Sequence, residues 1–118
     1  MKIVDRVFGV LLILATCGHI AGTLIWLPAM TGMWVWSLGA ALCGLVLGPL
    51  HLVRANRPCD RTVALIATLG TVGWFFVALS FGLSVHHLLD PRPLTHMIIS
   101  AVLVGFGLRT LIGNAART

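Results

Sequence analysis

The sequence predicts an all-α integral membrane four-helix bundle, up-down-up-down, with both termini cytoplasmic. Three observations predict it. Of 118 residues, 58% are hydrophobic and only 9% are charged, against roughly 25% charged in a soluble domain. The charges fall at intervals, separating long runs with no Asp, Glu, Lys or Arg. The basic residues gather on one side of the runs they separate. A bilayer core takes about 20 residues per helix, so four spans use roughly 80 positions and leave about 38 for tails and connectors. Within these residues, that leaves no room for a soluble catalytic domain or a large extramembrane loop.

The first span is expected over about 5–27. Its start, Met1-Lys2 and an apolar run to Leu14-Ala15-Thr16-Cys17, has the outline of a signal peptide with a lipoprotein-like cysteine. Thr16 is a poor residue before such a cysteine, and the apolar run continues through Gly18 and Gly22 to Trp26. The segment therefore reads as a retained first helix. Trp26-Leu27-Pro28-Ala29-Met30-Thr31-Gly32 breaks the charge-free stretch between Arg6 and Arg54. Pro and Gly there mark a turn, and Trp26, Trp34 and Trp36 flank it as rings do at the headgroup level. The second span follows over about 33–53, with Pro49 expected to kink it near Leu45 or end it early. Asp60 is placed to cap a third span over about 61–84. Asp90-Pro91 suits an N-cap and a first helical position for a fourth span over about 91–112. Gly113 is placed to end it, and Arg109 is expected to snorkel from its last turns.

With four spans, all but Arg92 of the eight basic residues fall on one side, a strong positive-inside bias. It places Lys2, Arg6, Arg54, Arg57, Arg61, Arg109 and Arg117 in the cytoplasm, in a bacterial inner (plasma) membrane. The expected partners are the lipid bilayer and anionic headgroups at the cytoplasmic arginines, with a homo-oligomer or a larger membrane complex as the protein partner. The basic residues are too dispersed for a nucleic-acid partner. Cys17 and Cys43 lie in spans and Cys59 in the inner loop; the odd count and absence of C-x-x-C give no disulfide framework or zinc site.

Helices in lipid associate through close packing and hydrogen bonds rather than to escape water. Gly18 and Gly22, and Gly44 and Gly48 extended by Ala40, form small-residue stripes on the first two helices. On the third, Ala64, Thr68, Thr71, Ala78 and Gly82 share a face, with Gly70, Gly73, Ser80 and Ser84 beside it. The fourth offers Ala101 and Gly105. On the first helix Leu12, Ala15, Thr16, His19, Gly22, Thr23 and Trp26 should turn inward, and Val10, Leu14, Cys17, Ala21 and Leu24 toward lipid. On the second, Ser37, Ala41, Gly44, Gly48 and His51 share the inward face. The stripes serve helix packing; a groove for a lipid or quinone is the functional alternative.

A histidine within a span marks a candidate functional site. His19 and His96 come from different helices at similar depth. They are the candidate cofactor-binding pair, for b-type haem or another ligand. His86 or His87 with them would make a metal cluster. His51 has no histidine partner at its end. Asp5, Asp60 and Asp90, the three acids, all stand at helix ends, so no buried carboxylate is expected to couple protons. Trp74, Phe75 and Phe76 read as packing contacts. No catalytic motif occurs. The reading is a non-enzymatic binding or accessory module. The alternatives are a haem or metal electron-transfer bundle using His19 and His96, and a small oligomeric transporter.

Overall fold

The computed structural model describes residues 2–115. Met1 and residues 116–118, including the expected cytoplasmic Arg117, lie outside the described residues. The chain forms α1 (Lys2–Trp26), α2 (Gly32–Asn56), α3 (Arg61–Ser84) and α4 (Pro91–Ala115). Each of the four is long and apolar enough to cross a membrane. The bundle measures 52 × 23 × 22 Å, and a helix of this length spans roughly 37 Å, more than a hydrocarbon core of about 30 Å.

Helix ends form where the chain supplies caps. Thr31 accepts a hydrogen bond from the Trp34 amide at 3.2 Å, and Met30 before it takes a left-handed φ of 63°. Asp60 accepts from the Val63 amide at 3.0 Å. Asp90 accepts from the Arg92 amide at 2.9 Å, beside Pro91, whose missing N–H costs nothing at a helix start. The short connectors make consecutive helices antiparallel neighbours. α1 packs along α2 and α3 along α4, while α1–α4 and α2–α3 contacts close the ring.

Small residues decide how closely α1 and α2 approach. A Cβ on Gly44 would collide with the Thr16 hydroxyl, and one on Gly48 with Ile13. Gly9, across from Gly48, packs against Leu52. The α3–α4 pair repeats the device, with Gly107 seated on Thr68. Both threonines satisfy their own hydroxyls, Thr16 donating to the Leu12 carbonyl at 2.7 Å and Thr68 to the Ala64 carbonyl at 2.6 Å. They can therefore press against glycine with no polar group orphaned. Leu12, Leu47, Trp74, Ile99 and Leu103 form the buried apolar cluster between the helices.

Several expectations are corrected. α2 continues through Pro49 to Asn56 instead of ending early, and its last turn is held by buried His51 and Arg54. α4 runs past Gly113. Gly18, Gly73 and Gly105 meet nothing that a Cβ would touch, and Ala101, Ser80 and Ser84 are exposed. On α4 the residues that pack are Ile99, Ser100, Leu103 and Gly107. A 3.6-residue period set by His96 carries the contact face past Ala101 and Gly105. Trp26 also points outward, 73% exposed, its ring lying back against Gly22 of its own helix.

Candidate functional site

Toward the end that holds the 27–31 turn and the 85–90 connector, all four helices send polar side chains inward. From α1, the His19 Nε2 lies 3.2 Å from the Ser37 carbonyl oxygen and 3.0 Å from its hydroxyl. A carbonyl only accepts, so Nε2 carries the His19 proton. Thr23 donates to the His19 carbonyl at 2.9 Å and so accepts from the Ser37 hydroxyl at 2.6 Å. From α3, Trp74 Nε1–H donates to His96 Nδ1 on α4 at 3.3 Å. Indole only donates, so the proton of neutral His96 sits on Nε2. The rings of His19 and His96 meet edge to face with centroids 6.1 Å apart, and Trp74 and His96 do so at 5.4 Å.

The structure thus brings His19 and His96 together and fixes what each presents. Among the described residues, His19 Nδ1 and His96 Nε2 have no hydrogen-bond partner. The first is a bare acceptor and the second a donor. One turn along α4 from His96, on the same buried face, Ser100 is fully buried and its hydroxyl has no partner. Most buried polar groups are paired, so this one stands out. His96 is buried while His19 is half-buried, so the pair opens to the bundle's flank through α1.

This arrangement bears on metal chemistry. A metal-binding histidine commonly donates its second ring N–H to an oxygen acceptor. His96 instead accepts from Trp74, so ligating iron through Nε2 requires that bond to break. Among the described residues no three His, Cys, Asp or Glu side chains stand close enough to hold a metal ion. The expected cluster with His86 or His87 is therefore not assembled; both are exposed on the 85–90 connector.

The opposite end contains a cluster that the charge map does not reveal. Arg54, expected in a cytoplasmic arginine loop, is buried, and Asp5 is 9% exposed. Arg54 Nη2 forms an ion pair with the Asp5 carboxylate. Its Nε donates to His51 Nδ1 at 3.1 Å and its Nη1 to Thr110 at 2.9 Å. His51, with Nδ1 accepting, donates through Nε2 to Thr71 at 2.6 Å. The four helices are tied by one charge pair and its hydrogen bonds. A buried carboxylate therefore exists, contrary to expectation, but its partner is an arginine that holds its proton throughout. Arg54 thus interrupts any proton relay through His51.

Sequence reasoning missed Asp5, Arg54, Trp74 and Ser100. For Arg54 a signal was present, since His51 and Arg54 stand three residues apart on one helix face. Trp74 sits on the same face as Thr71 and Ala78. Comparison with known protein families, with curated proteins and with solved structures finds no match to this chain.

Proposed function

We propose that this protein is a non-enzymatic binding module of a bacterial inner membrane, with both termini cytoplasmic and its ligand held at His19 and His96. The single observation behind the site is the meeting of two imidazoles from α1 and α4, each oriented by a partner on a further helix. Fixed rings with unspent nitrogens suit binding better than packing alone, because apolar residues would fill the same volume without polar cost. The orientation rests on exposed Lys2, Arg6, Arg57, Arg61 and Arg109 at the Arg54 end. Against them, among the described residues, stands only Arg92, whose guanidinium bonds to Asp90 at 2.7 Å. Withdrawal of Arg54 into the bundle leaves the positive-inside asymmetry intact. Arg57 and Arg61 remain available to anionic headgroups.

The chain, extracted directly into lipid nanodiscs, should retain a small molecule identifiable by mass spectrometry. The His19→Ala/His96→Ala variant should lose it while remaining helical. An identical retained set in both would refute the site. A second reading, electron transfer through b-type haem on the same pair, draws on the meeting of two histidines from different helices. His19 and His96 would hold the iron, once the Trp74 bond to His96 breaks, and the haem would supply one-electron chemistry. It requires a Soret band in the purified protein that disappears in either single variant.

A further inference from the structure

We infer that Ser100 completes the His19–His96 site and that the site takes a neutral head group able both to donate and to accept hydrogen bonds, of the hydroquinone class. This rests on the reading of His19 and His96 as a ligand site. The inference follows from the groups left over when the bundle has satisfied itself. His19 Nε2 is spent on Ser37 and His96 Nδ1 on Trp74. What remains is one acceptor, His19 Nδ1, one donor, His96 Nε2–H, and the Ser100 hydroxyl, which can do either. That hydroxyl is fully buried and unpartnered. Leaving such a group unmade costs stability that an alanine would not.

The complement of this set is a neutral hydroxyl on an aromatic or aliphatic body. Among the described residues, no formal charge lies at this end inside the bundle. Asp5 and Arg54 neutralise each other at the far end, and Asp90 and Arg92 pair on the exposed connector. A charged head group would enter without a counter-ion, at a large desolvation cost. The surrounding groups are aromatic, with His19, His96 and Trp74 edge to face, and an aromatic head group packs favourably beside such rings. The half-buried side of His19 gives access from the apolar flank, where a lipid-soluble molecule resides. Among such molecules a hydroquinone can donate to His19 Nδ1 and accept from His96 Nε2–H or from the Ser100 hydroxyl. The corresponding quinone only accepts and leaves Nδ1 unpaired.

The full chain in nanodiscs is titrated with decylubiquinol and, separately, with decylubiquinone, following quenching of tryptophan emission. Decylubiquinol should bind saturably and roughly 3- to 10-fold more tightly than decylubiquinone, the effect of one hydrogen bond. Ser100→Ala should weaken decylubiquinol by a similar factor while leaving the thermal midpoint of the free protein unchanged or higher, since it removes an unsatisfied hydroxyl. Equal binding of the two probes, or an unchanged affinity in Ser100→Ala, overturns the ligand class. In that case, abolition of binding by His19→Ala and His96→Ala would leave the site standing. Binding indifferent to both histidine variants removes the site itself. Haem incorporation that needs His19 and His96 overturns the neutral-head inference but keeps the site.

Discussion

Replacing Asp5 with alanine strands the guanidinium of Arg54 inside the bundle. Arg54 has 1% of its surface exposed, and Asp5 is its only anionic partner among the described residues. His51 and Thr110 still accept from it, but both are neutral there. Removing one partner of a buried pair costs about 3–5 kcal/mol. Arg54→Met strands the Asp5 carboxylate in turn and should fall at the lower end of the same range, about 3 kcal/mol, because a carboxylate can take up a proton where a guanidinium cannot lose one. The Asp5 carboxylate retains some solvent contact, its side chain being 12% exposed. Asp5→Leu/Arg54→Met removes both charges, and such replacements of buried pairs are often neutral or stabilising. It should be more stable than Asp5→Ala by at least about 2 kcal/mol. Reversible unfolding in mixed micelles, read by circular dichroism, measures all three variants. If Asp5→Ala costs under about 1 kcal/mol, or the double variant is no more stable than Asp5→Ala, the ion pair does not hold this end together.

Gly44→Ala and Gly107→Ala each force a methyl group onto a threonine hydroxyl and should cost about 1–3 kcal/mol by overpacking. Gly18→Ala and Gly105→Ala, which meet nothing, should be neutral or gain up to about 1 kcal/mol from helix propensity in the same unfolding assay. On the connector, hydrogen bonds from Arg92 hold the Asp90 carboxyl down at about 2. Because its folded value lies below the unfolded one, its contribution is present above the ordinary carboxylate range near 3.9 and disappears as pH falls toward 2. Carboxyl chemical shifts in Arg92→Ala should show Asp90 titrating closer to an ordinary aspartate; an unchanged midpoint would discount the pairing. In right-side-out and inverted vesicles, an impermeant maleimide should label Cys59 only from the cytoplasmic face. Labelling from the outer face reverses the proposed orientation.

The helices were legible because composition and charge punctuation act through local rules. Apolar runs of the right length, broken by Pro28, Asp60 and Asp90, state where a helix can start and stop. The inward face of α2, from Ser37 to His51, was legible from its period. The meeting of His19 with His96 followed from their depths in antiparallel helices. Arg54 was not read this way, because a charge map treats each arginine as solvated. Only the close approach of α1 to α2 decides otherwise. Stepping forward along α2 from Gly44 past Gly48 moves back along α1 from Thr16 past Gly9, and the same register brings Arg54 to Asp5.

Composition and periodicity therefore determined four long apolar helices and the faces that most of them bury. Tertiary structure alone decided which small residues pack, which histidine nitrogens remain unspent, and that Ser100 has no partner. The physical reason is that hydrogen-bond satisfaction is a property of pairs from different helices. His96 has its tautomer set by Trp74 on α3, and His19 by Ser37 on α2. A sequence names the donors and acceptors, but only the packed register shows which of them remain unpaired.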